Sequence, residues 1–301
     1  MTVLLPQINL PPMDGEVASG IIELQRPIAG RLPLLLASPH SGSDYPADFV
    51  AASRLDPVAL RRSEDSFVDE LFGDAPSLGA PLLSARFPRA YLDVNREAYE
   101  LDPAMFADAL PGFVNTASPR VRMGLGTIAR IVASGEEIYA GKLRFTDAQR
   151  RIDELYHPYH QALRRLADEA EALFGGYLLV DCHSMPSAAG SMCGSGGADI
   201  VLGDCHGTAC APAILEAARR FFATRGFSVA INTPYAGGFT TEHYGDPRRG
   251  RHALQVEINR ALYMDERHYR RKPRFARLAA ELTELVRELG RVAEECLCGV
   301  V

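Results

Sequence analysis

Four apolar segments of this chain run directly into ionisable or amide side chains. LPLLLASPH ends at His40, YLLVDCHS holds His183, AYLDVNR ends at Asn95 and Arg96, and ALQVEIN carries Glu257. In open α/β sheets, ligands gather at the carboxyl ends of the strands. A charge flanked by valine and isoleucine is costly to bury unless it has a partner or a chemical role. Together the four segments predict one polar site at the edge of a sheet.

Metal-assisted hydrolysis is the chemistry that these residue types favour. Two histidines and one carboxylate, with one coordination position left open, form a common catalytic zinc site. His40 and His183 supply the nitrogen ligands, and RRSEDSFVDELF offers Glu64 or Asp65 as the carboxylate, in the first turn of a predicted helix. Glu257 is then free to act as general base toward water and as general acid toward the leaving amine.

Other histidines and cysteines fit structural roles better. His157 and His160 are spaced like ligands on one helix face, but no carboxylate stands beside them at motif spacing, so we expect them to be structural. Among the histidines in or near glycine-rich loops, His243 is the best candidate for contacting substrate. Cys182 precedes His183 on a strand, where successive side chains point to opposite faces, so Cys182 is expected to pack as a small hydrophobe. The absence of a G-x-S-x-G motif argues against a serine hydrolase.

Strand-like and helix-like segments alternate along the chain. The clearest helix is opened by Thr146, with Asp147 in its first turn, and closed by Gly175–Gly176. The alternation predicts one α/β domain over 1–301, built on a mixed, mostly parallel sheet with helices on both faces. We expect 1–20 to be an N-terminal extension and 100–118 a surface insertion near the site. The predicted strands are Leu32–Ser38, Pro81–Ala85, Tyr91–Val94, Tyr177–Cys182, Asp199–Leu202, Ser228–Ile231 and Ala253–Ile258, and the predicted helices are Ser63–Phe72, Thr146–Phe174, Ala211–Thr224 and Phe275–Cys296.

Composition and charge exclude several classes of partner. With 301 residues, of which 47% are hydrophobic and 23% charged, the chain can bury a sizeable core. The net charge of -6 argues against nucleic acid or an anionic membrane as a partner, since both reward a basic surface. No apolar run is long enough to span a membrane, and the N-terminus lacks the basic region of a signal peptide. We therefore expect a cytoplasmic enzyme with a small-molecule substrate.

Several longer segments resemble the N-formylglutamate amidohydrolase family. The most distinctive is GGFTTEHYGDPRRGRHALQVEINRALYMDE, and the others are SPHSGSDYP, EDSFVDELF, RAYLDVNRE, GTIARIVASGEEIY, VDCHSMPS and DIVLGDCHG. They follow the family's order from about residue 33 to residue 266, which is most of the chain. That family is related to the zinc carboxypeptidase and aspartoacylase fold, so the resemblance implies this fold.

The resemblance also implies a ligand set for one divalent metal, zinc by default. The ligands are His40, Asp65 and His183, although similar donor sets accept cobalt, manganese or iron. The sequence departs from the carboxypeptidase pattern in one respect, because 24 positions separate His40 from Glu64, whereas the carboxypeptidase histidine and acid are close neighbours. Asp65 is preferred because it opens the stretch that resembles the family's motif, and Glu64 is the alternative.

Substrate contacts follow from the same resemblance. It implies that Asn95 and Arg96 grip a substrate carboxylate and that Glu257 transfers protons. N-formylglutamate carries two carboxylates, and the planar fork of arginine suits bidentate carboxylate recognition. Arg89, which precedes the predicted strand ending at Val94, and Arg130, in the GTIARI segment, are further candidates for holding them.

The implied activity is hydrolysis of the N-formyl-L-glutamate amide to formate and L-glutamate, as in histidine breakdown. One alternative is a related zinc amidohydrolase that acts on another N-acyl amino acid. Another is a binding protein that keeps the fold but has lost the chemistry. The candidate ligands and Glu257 are all present, which argues against the inactive alternative.

Overall fold

A seven-stranded sheet runs through the computed structural model, which describes residues 20–27, 30–190 and 197–299. The strand order is β1-β3-β2-β4-β7-β5-β6. The pairs β1/β3 and β5/β7 are antiparallel, and the other four pairs are parallel, so the predicted mixed, mostly parallel α/β sheet is confirmed. The strands are β1 (Ile22–Gln25), β2 (Leu34–Ser38), β3 (Leu82–Ala85), β4 (Tyr177–Met185), β5 (Ile200–Gly203), β6 (Val229–Ile231) and β7 (Arg251–Asn259), with a small separate ribbon of β8 (Met264–Asp265) and β9 (Arg270–Arg271).

Helices cover both faces of the sheet, as predicted. Leu34 and Leu36 of β2 pack with the helices Pro212–Thr224 and Phe275–Leu297, whereas Leu35 and Ala37 pack with the helix His157–Phe174 on the opposite face. This separation follows from the two-residue alternation of a strand. The helices are α1 (Ala47–Ala52), α2 (Pro57–Leu60), α3 (Val68–Leu71), α4 (Pro119–Arg122), α5 (Phe145–Arg151), α6 (His157–Phe174), α7 (Ser187–Gly190), α8 (Pro212–Thr224), α9 (Phe239–Tyr244) and α10 (Phe275–Leu297), and 3₁₀ turns span Arg61–Ser63, Ala75–Leu78, Pro103–Met105, Pro247–Arg249 and Arg260–Leu262.

The helix predicted over Thr146–Phe174 is one continuous helical segment with an irregularity. It begins one residue earlier, at Phe145, where the Asp147 carboxylate accepts a hydrogen bond from the Arg144 backbone N–H at 3.2 Å. Ile152–Tyr156 forms a π-helical turn between α5 and α6. The segment ends at Gly175, whose left-handed conformation (φ 78°) is one that glycine adopts without strain.

Two predicted elements are wrong. Tyr91–Val94 is not a strand: Tyr91 and Leu92 fold back as a turn onto the Pro88 carbonyl, although the segment is as buried as a strand would be. Ser63–Phe72 is not one helix, since Phe67 adopts a left-handed conformation (φ 68°) that separates a 3₁₀ turn from α3. The antiparallel edge strand β1 was not predicted.

The stretch 100–118 contains only a 3₁₀ turn as regular structure, and it contributes Leu101, Phe106 and Val114 to the core. The N-terminal extension predicted over 1–20 lies, apart from its last residue, outside the described residues. In the described part of the chain, no helix is long and apolar enough to cross a membrane.

Candidate active site

The site is built on two adjacent parallel strands, β4 and β7. Their register pairs Asp181 with Gln255 and His183 with Glu257. Cys182, between the two β4 residues, packs in the core on the other face, as predicted. The alternation of both strands therefore gathers two carboxylates, an imidazole and an amide on one face near the carboxyl end of the sheet.

Three donor atoms from three separate segments converge beside these strands. The Nδ1 atoms of His40 and His183 lie 3.1 Å apart, and Asp65 Oδ2 lies 3.4 Å from the first and 3.0 Å from the second. His40 follows β2, and the Asp65 backbone N–H donates to the His40 carbonyl at 2.9 Å, which fixes the two segments together. The side chains are almost fully buried, with 1%, 1% and 3% exposure for His40, Asp65 and His183. Such a buried group of two imidazoles and a carboxylate is a suitable metal site.

The outward nitrogens of both histidines meet carboxylates. His40 Nε2 donates to Asp93 Oδ1 at 2.7 Å, and His183 Nε2 lies 3.0 Å from Asp181 Oδ1. The hydrogen bond from His40 Nε2 to Asp93 favours the tautomer that carries its proton there, which leaves the Nδ1 lone pair of His40 free for a metal. Both imidazoles are thus oriented with their Nδ1 atoms toward Asp65, and the residues fit a divalent metal ion.

Asp65 divides its two oxygens between different partners. While Oδ2 faces the histidines, Oδ1 accepts hydrogen bonds from Arg260 Nη2 at 2.9 Å and from the Ser184 hydroxyl at 3.3 Å. Burial alone would raise the pKa of Asp65, but the hydrogen bonds from the two histidines and the charge of Arg260 hold it well below its ordinary value. Asp65 is therefore a charged carboxylate, as a metal ligand must be.

Glu64, the alternative ligand, points elsewhere. Its carboxylate accepts from Arg61 at 2.8 and 2.9 Å, from Ser66 at 2.7 Å and from the Tyr45 hydroxyl at 3.2 Å. The structure brings Asp65, and not Glu64, to the two histidines. It also places Asp65 in the bend before α3 rather than in the first turn of a helix.

Residues 91–96, here called the site loop, carry the next group of predicted residues. Asp93 of this loop lies between two guanidinium groups: Arg89 Nη2 donates to Asp93 Oδ2 at 2.8 Å, and Arg96 Nε lies 3.8 Å from the same oxygen. Burial would raise the pKa of Asp93, but the charges of Arg89, His40 and Arg96 hold it well below its ordinary value. Two half-buried arginines therefore stand beside His40, Asp65 and His183, here called the candidate metal-ligand group.

Asn95 of the site loop contacts His183 and Asp181. Its Nδ2 lies 3.1 Å from His183 Nε2 and donates to Asp181 Oδ2 at 3.3 Å, while its Oδ1 accepts from the Thr240 backbone N–H at 2.7 Å. Gly238 packs directly against this amide, where a Cβ would clash. Asn95 is therefore fixed between β4 and the start of α9.

Glu257 is a buried carboxylate, 7% exposed, that accepts a hydrogen bond from Gln255 at 3.0 Å. A structural role for Glu257 would be an ion pair with one of the arginines near it in the sequence, but Arg260 pairs with Asp65 and Arg251 pairs with Glu171. Burial raises the pKa of Glu257 to about 7, against the opposing charge of His183. A carboxyl group near this value can both take up and release a proton at neutral pH.

Two predicted substrate residues lie apart from this group. Arg130 binds Asp102 at 3.0 Å and approaches Glu137 at 3.5 Å, beside a surface groove that none of the metal-ligand candidates lines. His243 is exposed on α9, where its ring stacks on Phe239 with 4.8 Å between ring centroids.

His157 and His160 of the long helix also lie outside the candidate metal-ligand group. His157 is exposed on α6. His160 is buried, and its Nε2 donates to the Val94 carbonyl at 2.8 Å.

Several site residues were missed by sequence reasoning. Asp181 and Gln255 each stand two positions before a predicted site residue, a spacing that places side chains on the same face of a strand. This signal was present in VDCH and QVE and could have found both. Asp93 also stands two positions before a predicted site residue, Asn95, but its segment is not a strand, so its contact with His40 does not follow from strand alternation. Arg260 had no comparable signal, because its contact with Asp65 depends on turns that bring distant segments together.

The chain is similar to known proteins over most of its length. The family model of N-formylglutamate amidohydrolase matches residues 32–264. An N-formylglutamate deformylase of Pseudomonas putida is 31% identical over 242 residues, covering 79% of this chain and 84% of that protein. The protein of the same name in Pseudomonas aeruginosa is 30% identical over 245 residues, again covering 79% and 84%.

Solved structures match over nearly the whole chain. The crystal structure of N-formylglutamate amidohydrolase from Ralstonia eutropha JMP134 has a TM-score of 0.85 and 37% identity, covering 93% of this chain and 99% of that one. The crystal structure of the gene product Atu2144 from Agrobacterium tumefaciens has a TM-score of 0.58 and 18% identity, covering 89% and 94%, and so shares the fold.

Proposed function

This chain belongs to the N-formylglutamate amidohydrolase family, and from that premise we propose that it hydrolyses N-formyl-L-glutamate to formate and L-glutamate. The observation that carries the proposal is the convergence of His40 Nδ1, His183 Nδ1 and Asp65 Oδ2, with a carboxylate behind each imidazole. A small dicarboxylate substrate is supported by the two arginines beside this group. In the cell, the reaction would serve histidine breakdown, in the cytoplasm.

His40, Asp65 and His183 would hold one divalent metal ion, zinc by default. Zinc at such a site supplies Lewis acidity, which polarises an amide carbonyl and makes water more acidic at neutral pH. The two imidazoles and the single carboxylate are the donor types that zinc prefers, and Asp93 holds the His40 imidazole in the required tautomer.

Glu257 would move the protons of the reaction. It takes one proton from the attacking water as the water oxygen bonds to the formyl carbon. It then delivers a proton to the amide nitrogen as the carbon–nitrogen bond breaks, so formate and the free amino group of glutamate leave. The pKa of about 7 supports both directions of transfer, and the position beside His183 in the sheet supports its access to the reacting atoms.

Arg96 and Arg89 would bind the carboxylates of the substrate, with Asn95 beside them. Arg96 already donates from Nε to the Leu125 carbonyl at 2.9 Å and from Nη1 to the Asn95 carbonyl at 2.8 Å, which fixes the plane of the guanidinium. A guanidinium fixed in this way loses little side-chain entropy when it binds a carboxylate. Arg130 and His243 are weaker candidates, since their contacts lie outside this group.

A substrate screen with metal analysis tests the proposal. The purified protein would be assayed on N-formyl, N-acetyl and N-carbamoyl derivatives of Glu, Asp and Gln, and its zinc content would be measured. We expect fastest turnover of N-formylglutamate and one metal per chain. Faster turnover of another derivative would indicate a related amidohydrolase. A metal-loaded protein that hydrolyses none of them would indicate a binding protein.

A further inference from the structure

The site loop, residues 91–96, has no strand partner, yet it carries Asp93, Asn95 and Arg96. Three of its backbone carbonyls are instead bound by side chains from outside the loop. Tyr91 O accepts from Arg151 Nη1 at 3.1 Å, Val94 O accepts from His160 Nε2 at 2.8 Å, and Arg96 O accepts from the Tyr156 hydroxyl at 2.7 Å.

All three donors come from one helical segment, α5 to α6 with the π turn between them. Residues four apart share a face of an α-helix, but Arg151 and Tyr156 are five apart. The π turn closes with an i→i+5 hydrogen bond, from His157 N–H to the Ile152 carbonyl, and so aligns residues five apart. Tyr156 and His160, four apart at the start of α6, are aligned by ordinary α-helical geometry. The single π turn thus brings the three donors into one row facing the site loop.

The three donors are themselves held firmly. The Arg151 guanidinium lies 4.0 Å from the centre of the Tyr91 ring and donates to the Tyr139 hydroxyl at 2.7 Å. The rings of Tyr156 and His160 pack 4.4 Å apart, and the Tyr244 hydroxyl lies 3.1 Å from His160 Nδ1. A buried carbonyl needs a donor, but it does not need one held so rigidly, and rigid support is what a preorganised site requires.

We propose that Arg151, Tyr156 and His160 are positioning residues of the active site, aligned by the π turn so that they fix the loop bearing Asp93, Asn95 and Arg96. Through that loop they set the orientation of both imidazoles, because Asp93 holds His40 and Asn95 contacts His183. The inference rests on the proposed function for its kinetic readout, and it has a separate readout in zinc affinity.

A matched pair of tyrosine variants tests it. Tyr156→Phe removes the hydroxyl that binds Arg96 O at 2.7 Å, and Tyr177→Phe removes a hydroxyl that binds Tyr244 O at 2.8 Å, away from the site loop. Both side chains are buried, so similar losses of melting temperature are expected. Only Tyr156→Phe should also lower kcat/KM and weaken zinc binding, each by about tenfold, since small misplacements of catalytic groups and changes to outer-shell partners have effects of this order. Zinc affinity would be measured by competition with a chromogenic chelator.

Two variants of His160 provide the rescue test. His160→Gln keeps an N–H donor in reach of Val94 O, whereas His160→Leu removes it. We expect the Gln variant to recover most of the kcat/KM and zinc affinity that the Leu variant loses.

Equal kinetics and zinc affinity in Tyr156→Phe and Tyr177→Phe, or in the two His160 variants, would overturn the inference. If the wild-type protein hydrolyses no N-acyl amino acid, the proposed function fails, and the zinc affinities of the same variants still decide the positioning role.

Discussion

His183 and Glu257 are direct partners across the parallel strands β4 and β7, so a ligand candidate and the proton-transfer candidate are fixed by one sheet register. The same register sets Asp181 opposite Gln255. A shift of one residue would turn Glu257 into the apolar face and Val256 toward the site. The spacing between the His183 imidazole and the Glu257 carboxyl is therefore a property of the sheet rather than of a loop.

Glu257→Gln should keep zinc and substrate binding but lower kcat by ~10²- to 10⁴-fold, the usual contribution of general acid–base catalysis. Glutamine has the same shape and can still accept from Gln255, so the melting temperature should change little. Zinc content, melting temperature and kcat would be measured on the one variant. A metal-loaded, folded variant with near-normal turnover would exclude Glu257 from proton transfer.

Asp65→Asn should weaken zinc binding by more than the roughly 10- to 100-fold that outer-shell changes cause, because a ligand loses its charge. Glu64→Gln is the matched control, since it removes a neighbouring buried carboxylate that pairs with Arg61. We expect that control to keep its zinc while losing some thermal stability. The zinc content of both variants would be measured after dialysis. Loss of zinc in Glu64→Gln alone would show that Glu64, and not Asp65, is the carboxylate ligand.

Arg96→Ala should leave zinc content intact and lower kcat/KM for N-formylglutamate by the equivalent of about 1.5–3 kcal/mol, the scale of a charge-assisted hydrogen bond. Arg89→Ala should act in the same direction. Assays on N-formylglutamine, which lacks the side-chain carboxylate, show which carboxylate of the substrate each arginine binds. The arginine that binds the side-chain carboxylate should lose its effect on that substrate, whereas the arginine that binds the α-carboxylate should not. Unchanged kinetics on both substrates would remove that arginine from the site.

Acid should destabilise the fold through His160. Burial lowers its pKa to about 4, below the ordinary value of 6.5, so between these values the unfolded chain binds more protons than the folded one. The contribution of the neutral His160 to the free energy of unfolding is therefore retained above about pH 6.5 and is lost as the pH drops from about 6.5 toward 4. This contribution amounts to about 2 kcal/mol between pH 7.5 and pH 5. In urea titrations with excess chelator, His160→Gln should show a correspondingly smaller loss, and an equal loss would contradict the assignment.

The alternation of strand-like and helix-like segments, together with the apolar runs, was enough to predict most of the strands of the sheet and which side chains share a face. His183 and Cys182 point to opposite sides because strand geometry leaves no alternative. The strand prediction for Tyr91–Val94 was wrong because Tyr91, Leu92 and Val94 are buried like strand residues. Their backbone groups pair differently: the N–H groups of Tyr91 and Leu92 bond to the Pro88 carbonyl, and the carbonyls of Tyr91 and Val94 accept from side chains of a distant helix.

The choice between Glu64 and Asp65 depends on local backbone geometry. The left-handed conformation of Phe67 and the bond from Asp65 N–H to the His40 carbonyl determine where each carboxylate points. Neither feature has a recognisable signal in the sequence.

The positions of His40, Asp65 and His183 in the sequence also determine when a metal could bind during folding. His183 is 143 positions from His40 and 118 positions from Asp65 along the chain. Contacts of such long sequence separation form only after the chain has closed large loops, which is slow. A metal ion thus cannot nucleate this fold in the way that it organises a zinc finger, whose ligands are close in sequence. The strands must assemble first, and an ion would enter a site that folding has already completed.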